Sequence, residues 1–243
     1  MSEEKRTSKR KNLRREKARA RQVMIGLVLV GSILIAGALI LFNKPEPPPS
    51  AAPGEVIVPT AVARSQVDGL TVGDPNAPVR IDVFEDFQCP ACKNYTEQVE
   101  HRVIAELVQT GKAYYVFHNY AFLDRDSVTK ESQRAALASL CANEQGKFWE
   151  YHDTLFANWN GENQGAFNDD RLSAFAATLK LDTQAFDACM SEGRYVDDVN
   201  ASFDKGNQMG VQGTPSVFVN GTIVNPGHVP SFEDIAAAVE AAQ

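Results

Sequence analysis

Hydrophobic positions in this chain follow three patterns. The first is continuous: Val23 to Phe42 is a run of 20 residues without a charge. Wound as a helix it spans about 30 Å, the thickness of a bilayer's hydrocarbon core. The second pattern is short and rich in β-branched and aromatic residues. Val79, Ile81, Val83 and Phe84 predict a strand, Tyr114 to Phe117 a second, and Ser216 to Val219 a third. Asn220-Gly221 then marks a two-residue hairpin, with Thr222 to Val224 returning. The third pattern has helical spacing. Tyr95, Val99, Val103, Leu107 and Val108 predict a helix that Gly111 stops. Between 124 and 206 four stripes come next: Leu137, Leu140 and Cys141; Phe148, Trp149, His152, Leu155 and Phe156; Leu172, Phe175, Ala176 and Leu179; Phe186 and Cys189. Phe232, Ile235, Ala236 and Val239 define a last amphipathic helix, with Ser231 as its N-cap and Asp234 at its third position. The order is β–α–β, a helical block, then β–β–α. A strand, a helix and a strand in about 40 residues imply a parallel pair with a right-handed crossover.

Charge divides the 243 residues into regions. Residues 1–22 hold 10 of the 24 Lys and Arg but only 3 of the 31 Asp and Glu. A basic flank before an apolar run keeps the N-terminus cytoplasmic and places the body on the other side. The run is longer than the 7–15 or so apolar residues typical of a cleaved signal peptide. Ala36-Gly37-Ala38 resembles a cleavage tripeptide, yet Leu39-Ile40-Leu41-Phe42 comes after it rather than polar chain. Residues 23–42 therefore read as a single transmembrane anchor in the plasma membrane. Pro45, Pro47, Pro48, Pro49 and Pro53 make 43–68 an extended linker. The folded domain is expected over 69–243, with the helical insertion at about 124–206. The body is acidic, which argues against nucleic acid as a partner.

The sharpest chemical signal is Cys89-Pro90-Ala91-Cys92, placed after a predicted strand and at the start of a predicted helix. A thiol there meets unpaired backbone N–H groups and the positive end of the helix dipole, and both favour the thiolate. Two intervening residues let the second sulfur reach the first, which thiol–disulfide exchange requires. A zinc site is the weaker reading. The other two cysteines, Cys141 and Cys189, are 48 residues apart, and no histidine pair has ligand spacing. A purely structural bridge between Cys89 and Cys92 would close too short a loop to stabilise much. No metal and no cofactor are called for.

These residues resemble the thioredoxin superfamily, and more specifically the DsbA-like thiol:disulfide oxidoreductases. The resemblance rests on Gly73-Asp74-Pro75-Asn76-Ala77-Pro78, on Asp86-Phe87-Gln88-Cys89-Pro90-Ala91-Cys92 and on Gly213-Thr214-Pro215, and it covers about residues 70–243. It implies a thioredoxin-like α/β fold with a helical insertion and catalysis by Cys89 and Cys92. It also implies that Pro215 is cis beside the two sulfurs and that the Thr214 backbone pairs with an extended substrate. From the residues alone, Thr214-Pro215 is compatible with either isomer.

The chain departs from family patterns in two places. Ala91 stands where some members carry a thiolate-stabilising His, so Cys89 is expected to be less acidic than in those relatives. Many thioredoxin-like proteins carry a buried acid six residues before the first cysteine, and here that residue is Val83. Glu85 and Asp86 are read as solvated strand-end charges, with a proton relay to Cys92 as the alternative. Cys141 and Cys189 lie on apolar stripes. An oxidising compartment favours their pairing, and closing a loop of that length stabilises by about 4 kcal/mol in the chain-entropy model.

The expected activity is that of a tethered oxidase donating disulfides to exported proteins, with a membrane redox partner to reoxidise it. The same atoms serve a reductase or isomerase, and a tethered Cu(I)-binding module is the non-enzymatic alternative.

Overall fold

The computed structural model describes residues 54–124 and 127–243. The expected basic tail at 1–22, the expected anchor at 23–42 and the expected linker as far as residue 53 lie outside the described residues. Two strands form the centre of a six-stranded sheet. β3 (Val79–Glu85) and β4 (Ala113–Asn119) run parallel, in register from Val79 opposite Ala113 to Glu85 opposite Asn119. The connection between them is a helix, α1, over residues 90–108. β5 (Ser216–Val219) pairs antiparallel with the other edge of β3, and β6 (Thr222–Ile223) returns beside β5. Asn220 and Gly221 supply the positive φ angles, 45° and 80°, that this tight hairpin needs. Two short strands, β1 (Val67–Asp68) and β2 (Thr71–Val72), extend the β4 edge. Hydropathy did not predict them, because two residues are too few to show a period. The sheet order is β1-β2-β4-β3-β5-β6.

The expected helix after Cys92 is present, but its winding is not uniform. It is α-helical over Pro90–Tyr95 and His101–Val103 and π-wound over Thr96–Glu100 and Ile104–Val108. A π turn carries an extra residue and rotates the side chains beyond it about the helix axis. Tyr95, Thr96 and Glu100 all lie on the buried face, and Val99 is only partly covered.

Between β4 and β5 the chain builds the helical block: α2 (Glu131–Asn143), α3 (Phe148–Ala157), α4 (Asp169–Thr178), α5 (Thr183–Glu192) and α6 (Val196–Gln208). Its core is aromatic, with Tyr151, Phe175 and Phe186 fully buried and the Tyr151 hydroxyl donating to Leu172 O at 2.8 Å. Cys141 on α2 is bonded to Cys189 on α5, with Cα atoms 5.8 Å apart. The polar stretch before α4 is pinned from within. The buried Glu131 carboxylate accepts from Gly165 N and Phe167 N, both at 2.9 Å. The last helix, α7 (Phe232–Ala241), begins with a capping box between Ser231 and Asp234.

The block meets the sheet in two places. Phe87, Phe117, Phe148, His152 and Phe156 form one aromatic cluster, with ring centroids 5.0–6.0 Å apart. On the other face Gly206 of α6 lies against Tyr120 and Phe84. A Cβ there would sit 2.5 Å from Tyr120 Cδ2 and 3.2 Å from Phe84 Cδ1. Gly206→Ala therefore sets about 1 kcal/mol of helix propensity against a steric clash. The clash involves ring atoms in a packed cluster, so it should win, by about 1–2 kcal/mol. A lower urea midpoint is the expected result, and an unchanged or higher one would show that the rings move aside freely.

Candidate active site

The strand β3 ends at Glu85, and a tight turn delivers Cys89 to the N-cap of α1. Cys89 N donates to Asp86 O at 2.9 Å, and Cys89 itself is extended, with φ −77° and ψ 120°. Pro90 occupies the first helical position, where its missing N–H costs nothing. Cys92, at the third helical position, points inward and is fully buried, while Cys89 remains 6 % exposed. Both are free thiols.

The two sulfurs differ in proton affinity. Cys89 is pulled down to about 6, first by the Cys92 thiol, which can donate to its thiolate. The Thr214 side chain and the main-chain N–H groups of Cys92 and Ala91 act in the same direction, against the cost of burial. Cys92 is pushed well above its ordinary value by burial, by its role as donor to Cys89 and by the nearby Glu85 carboxyl. With Ala at position 91, the stabilisation of Cys89 comes from the neighbouring thiol and the backbone rather than from an imidazole.

From the chain entering β5 comes the opposing wall. The Thr214–Pro215 peptide is cis and Pro215 is buried. Cys89 Sγ lies 3.3 Å from Thr214 O, a contact linking residues 125 apart in sequence. Cys89, Pro90, Ala91, Cys92, Thr214 and Pro215 thus come together. Cys141 and Cys189 do not join them, being bonded to each other within the helical block.

Glu85 and Asp86 are not solvated: they are only 1 % and 2 % exposed. The strand alternation of Ile81, Val83 and Glu85 places Glu85 on the core face, beneath Cys92. Its proton affinity rises well above the carboxylate range through burial, then through the charge of Glu100 and of the Cys89 thiolate. Thr96 Oγ1 donates to it at 3.4 Å. Asp86 is occupied differently. It accepts from Gln88 N, Ser132 Oγ, Phe122 N and Leu123 N at 2.7–3.0 Å, although burial still raises it to about 6. Those bonds tie the turn before Cys89 to the helical block. Gln88, fully buried, adds a bond to Ser132, and its carbonyl accepts from Trp159 Nε1 at 2.7 Å.

Sequence reasoning missed Glu100, Arg64 and the buried hydroxyls of Tyr95 and Tyr115. Glu100 carried a signal, since it stands four residues after Thr96 and three before Val103 on the apolar face. Arg64 carried none.

The chain is similar to known proteins. A family profile described as Thioredoxin matches residues 65–241. The chain belongs to the thioredoxin family. Within it, this is a DsbA-like thiol:disulfide oxidoreductase. It is 27 % identical to the probable disulfide bond formation protein D of Bacillus cereus, over 70 % of this chain and 76 % of that protein. Among solved structures it is similar to oxidised BdbD from Bacillus subtilis, with a TM-score of 0.64 at 22 % identity, covering 71 % of this chain and 91 % of that one. It is also similar to DsbA from Chlamydia trachomatis, with a TM-score of 0.62 at 22 % identity, covering 78 % and 96 %. At that identity the two structures speak for the fold.

The oxidoreductase should show one early thiol titration. Thiolate absorbance at 240 nm is expected to rise with a midpoint near pH 6 in the reduced protein, and Cys89→Ala should abolish the step. The linked stability has a definite sign. With its folded value below the unfolded one, Cys89 stabilises the reduced fold progressively as pH rises from about 6 to about 9, and that contribution is lost as pH falls through 6. A first step near pH 9 would contradict the arrangement.

Proposed function

We propose that this protein is a membrane-tethered, extracytoplasmic oxidase that donates the Cys89–Cys92 disulfide to exported proteins. Residues 23–42 would hold it in the plasma membrane with the N-terminus cytoplasmic, and a membrane redox partner would reoxidise it. The supporting observation is the asymmetry of the two sulfurs. A Cys89 thiolate stabilised at neutral pH favours the reduced dithiol, and a pair whose reduced form is favoured is a strong oxidant. The name of the Bacillus cereus relative supports the same direction.

The exchange runs in two steps. A substrate thiolate attacks Cys89 Sγ, and the enzyme S–S bond breaks with its electron pair on Cys92. Glu85, buried beside Cys92 and inclined to hold a proton, gives that proton to the departing sulfur. A second substrate thiolate then attacks the substrate sulfur of the mixed disulfide and expels Cys89 as a thiolate. The substrate loses two electrons and gains a disulfide, and the enzyme becomes the dithiol. Thr214, at the cis peptide, offers its backbone to an extended substrate segment, a form of β-augmentation. Asp86 is assigned no part in proton transfer, because its oxygens are committed to Gln88, Ser132, Phe122 and Leu123.

Two measurements test the reading. Cys92→Ser should accumulate a mixed disulfide on Cys89 when incubated with a disulfide-bearing peptide, whereas Cys89→Ser should trap almost none. More adduct on Cys89→Ser would reverse the roles. For the direction of transfer, the reduction potential of the pair should lie nearer about −120 mV than about −270 mV. A value at the lower end would make the protein a reductase.

A further inference from the structure

Cys89 is bracketed by two hydrogen bonds to the chain that ends α3. Lys93, one turn beyond Cys89 on α1, donates to Phe156 O at 3.0 Å. Trp159, just past the end of α3, donates its indole N–H to Gln88 O at 2.7 Å. The indole is half-buried and packs against the core. Its backbone is firmly placed, with Trp159 N donating to Phe156 O at 3.3 Å. The preceding residue, Asn158, is buried and tied through its side chain. It accepts from Ile57 N at 3.0 Å and donates to Ile57 O at 2.7 Å and to Thr154 O at 2.8 Å.

The peptide between Gln88 and Cys89 is thereby fixed at both of its polar atoms. Its N–H goes to Asp86 O at 2.9 Å and its carbonyl to the indole. Gln88 itself has little freedom. Its own N–H goes to Asp86 Oδ1, and its buried side chain donates to Ser132 Oγ at 2.9 Å and accepts from Asn163 N at 2.5 Å. The motion left to this turn is a rocking of one planar peptide, which changes ψ of Gln88 and φ of Cys89 together. Such rocking swings the Cys89 side chain. At the observed φ of −77° the sulfur meets the main-chain N–H groups of Ala91 and Cys92 and lies 3.3 Å from Thr214 O. The indole N–H also offsets the negative partial charge on the Gln88 oxygen, one peptide unit from the thiolate. Both effects favour the ionised sulfur.

We propose that Trp159 is a positioning residue for thiol–disulfide exchange: by holding the Gln88 carbonyl it keeps Cys89 Sγ where the start of α1 stabilises its thiolate. The inference rests on Cys89 as the reacting sulfur, and not on the direction of transfer. The step served is release of Cys89 from a mixed disulfide. A second thiolate attacks the substrate sulfur, the bond from that sulfur to Cys89 breaks, and the electron pair stays on Cys89 Sγ. A better-stabilised thiolate leaves faster. Linkage makes the effect reciprocal, so ionising Cys89 should tighten the bond from Trp159 to Gln88 O. The ionisable groups on the elements around Cys89 are Glu85 of β3, Asp86 and Asp124 at the turn, and Cys92 and Lys93 of α1. His228 joins them from the cleft lined by Thr214 and Pro215. Trp159→Phe alters none of them.

The test compares the full-length wild type with Trp159→Phe, which keeps an aromatic ring and loses the N–H donor. The midpoint of thiolate absorbance should rise by about half a unit, because a neutral hydrogen bond is worth about one unit or less and only part of it reaches the sulfur. The equilibrium with glutathione near neutrality should move about two- to threefold toward the enzyme disulfide. Trp149→Phe, at the buried indole of α3, should leave both values in place. An unchanged midpoint in a folded Trp159→Phe would overturn the inference. So would an equal rise in Trp149→Phe, which would show a general loosening of the core. Should Trp159→Phe fail to fold, the wild type decides. Its Trp159 indole N–H proton resonance should move downfield through the Cys89 titration and stay still in Cys89→Ala, and a signal that ignores the titration would overturn the inference. A wild type without an early thiol step would remove Cys89 as the reacting thiolate, and the inference with it, which is a distinguishable result.

Discussion

Two chemically identical thiols, three residues apart, must hold opposite protonation states, and much of the structure serves that difference. Cys89 stands before the first helical turn, where N–H groups are unpaired. Cys92 stands inside it, fully buried and above an acid. Each supports the other: the Cys92 thiol donates to the Cys89 thiolate, and that donation raises the cost of ionising Cys92. The thiol–thiol hydrogen bond, with the N–H groups at the helix start, lowers Cys89, and burial above all raises Cys92.

Holding Cys92 buried requires walls on all sides. The cis Thr214–Pro215 peptide closes one side, bringing the Thr214 carbonyl to Cys89. The aromatic cluster around Phe87, Phe117 and His152 closes another and joins the helical block to the sheet. Gln88 and Asp86 clamp the turn between strand and helix to α2 and to Trp159. The insertion is therefore a support for the active-site turn as well as a cover. The Cys141–Cys189 bond ties α2 to α5 within the helical block, a cross-link of the kind that stabilises a fold.

Burial has an electrostatic consequence. Glu100 and Asp153 sit in low dielectric with Arg64 as their counter-ion, while Glu85 is buried beside Cys92, and unpaired charge there is costly. A buried ionic cluster of this kind is weak evidence for added stability of the fold.

Much of this was legible in the residues. Val79 to Phe84 and Tyr114 to Phe117 declared the parallel pair by composition, Asn220-Gly221 declared the hairpin, and Ser231 with Asp234 declared the last helix. Cys89-Pro90-Ala91-Cys92 declared the chemistry, because thiol exchange needs that spacing and that helix start. Such features depend on neighbours within a few residues, and local sequence encodes them. Tertiary structure decided the rest. The π turns of α1 and the burial of Glu100 depend on what α1 packs against. The cis state of Pro215 depends on a wall about 125 residues from Cys89 in sequence. Glu85 and Asp86 read as surface charges because burial is a property of the assembled sheet and block. Arg64 gave no signal at all, since its partners, Glu100 and Asp153, are 36 and 89 residues away and meet it only when the chain is folded.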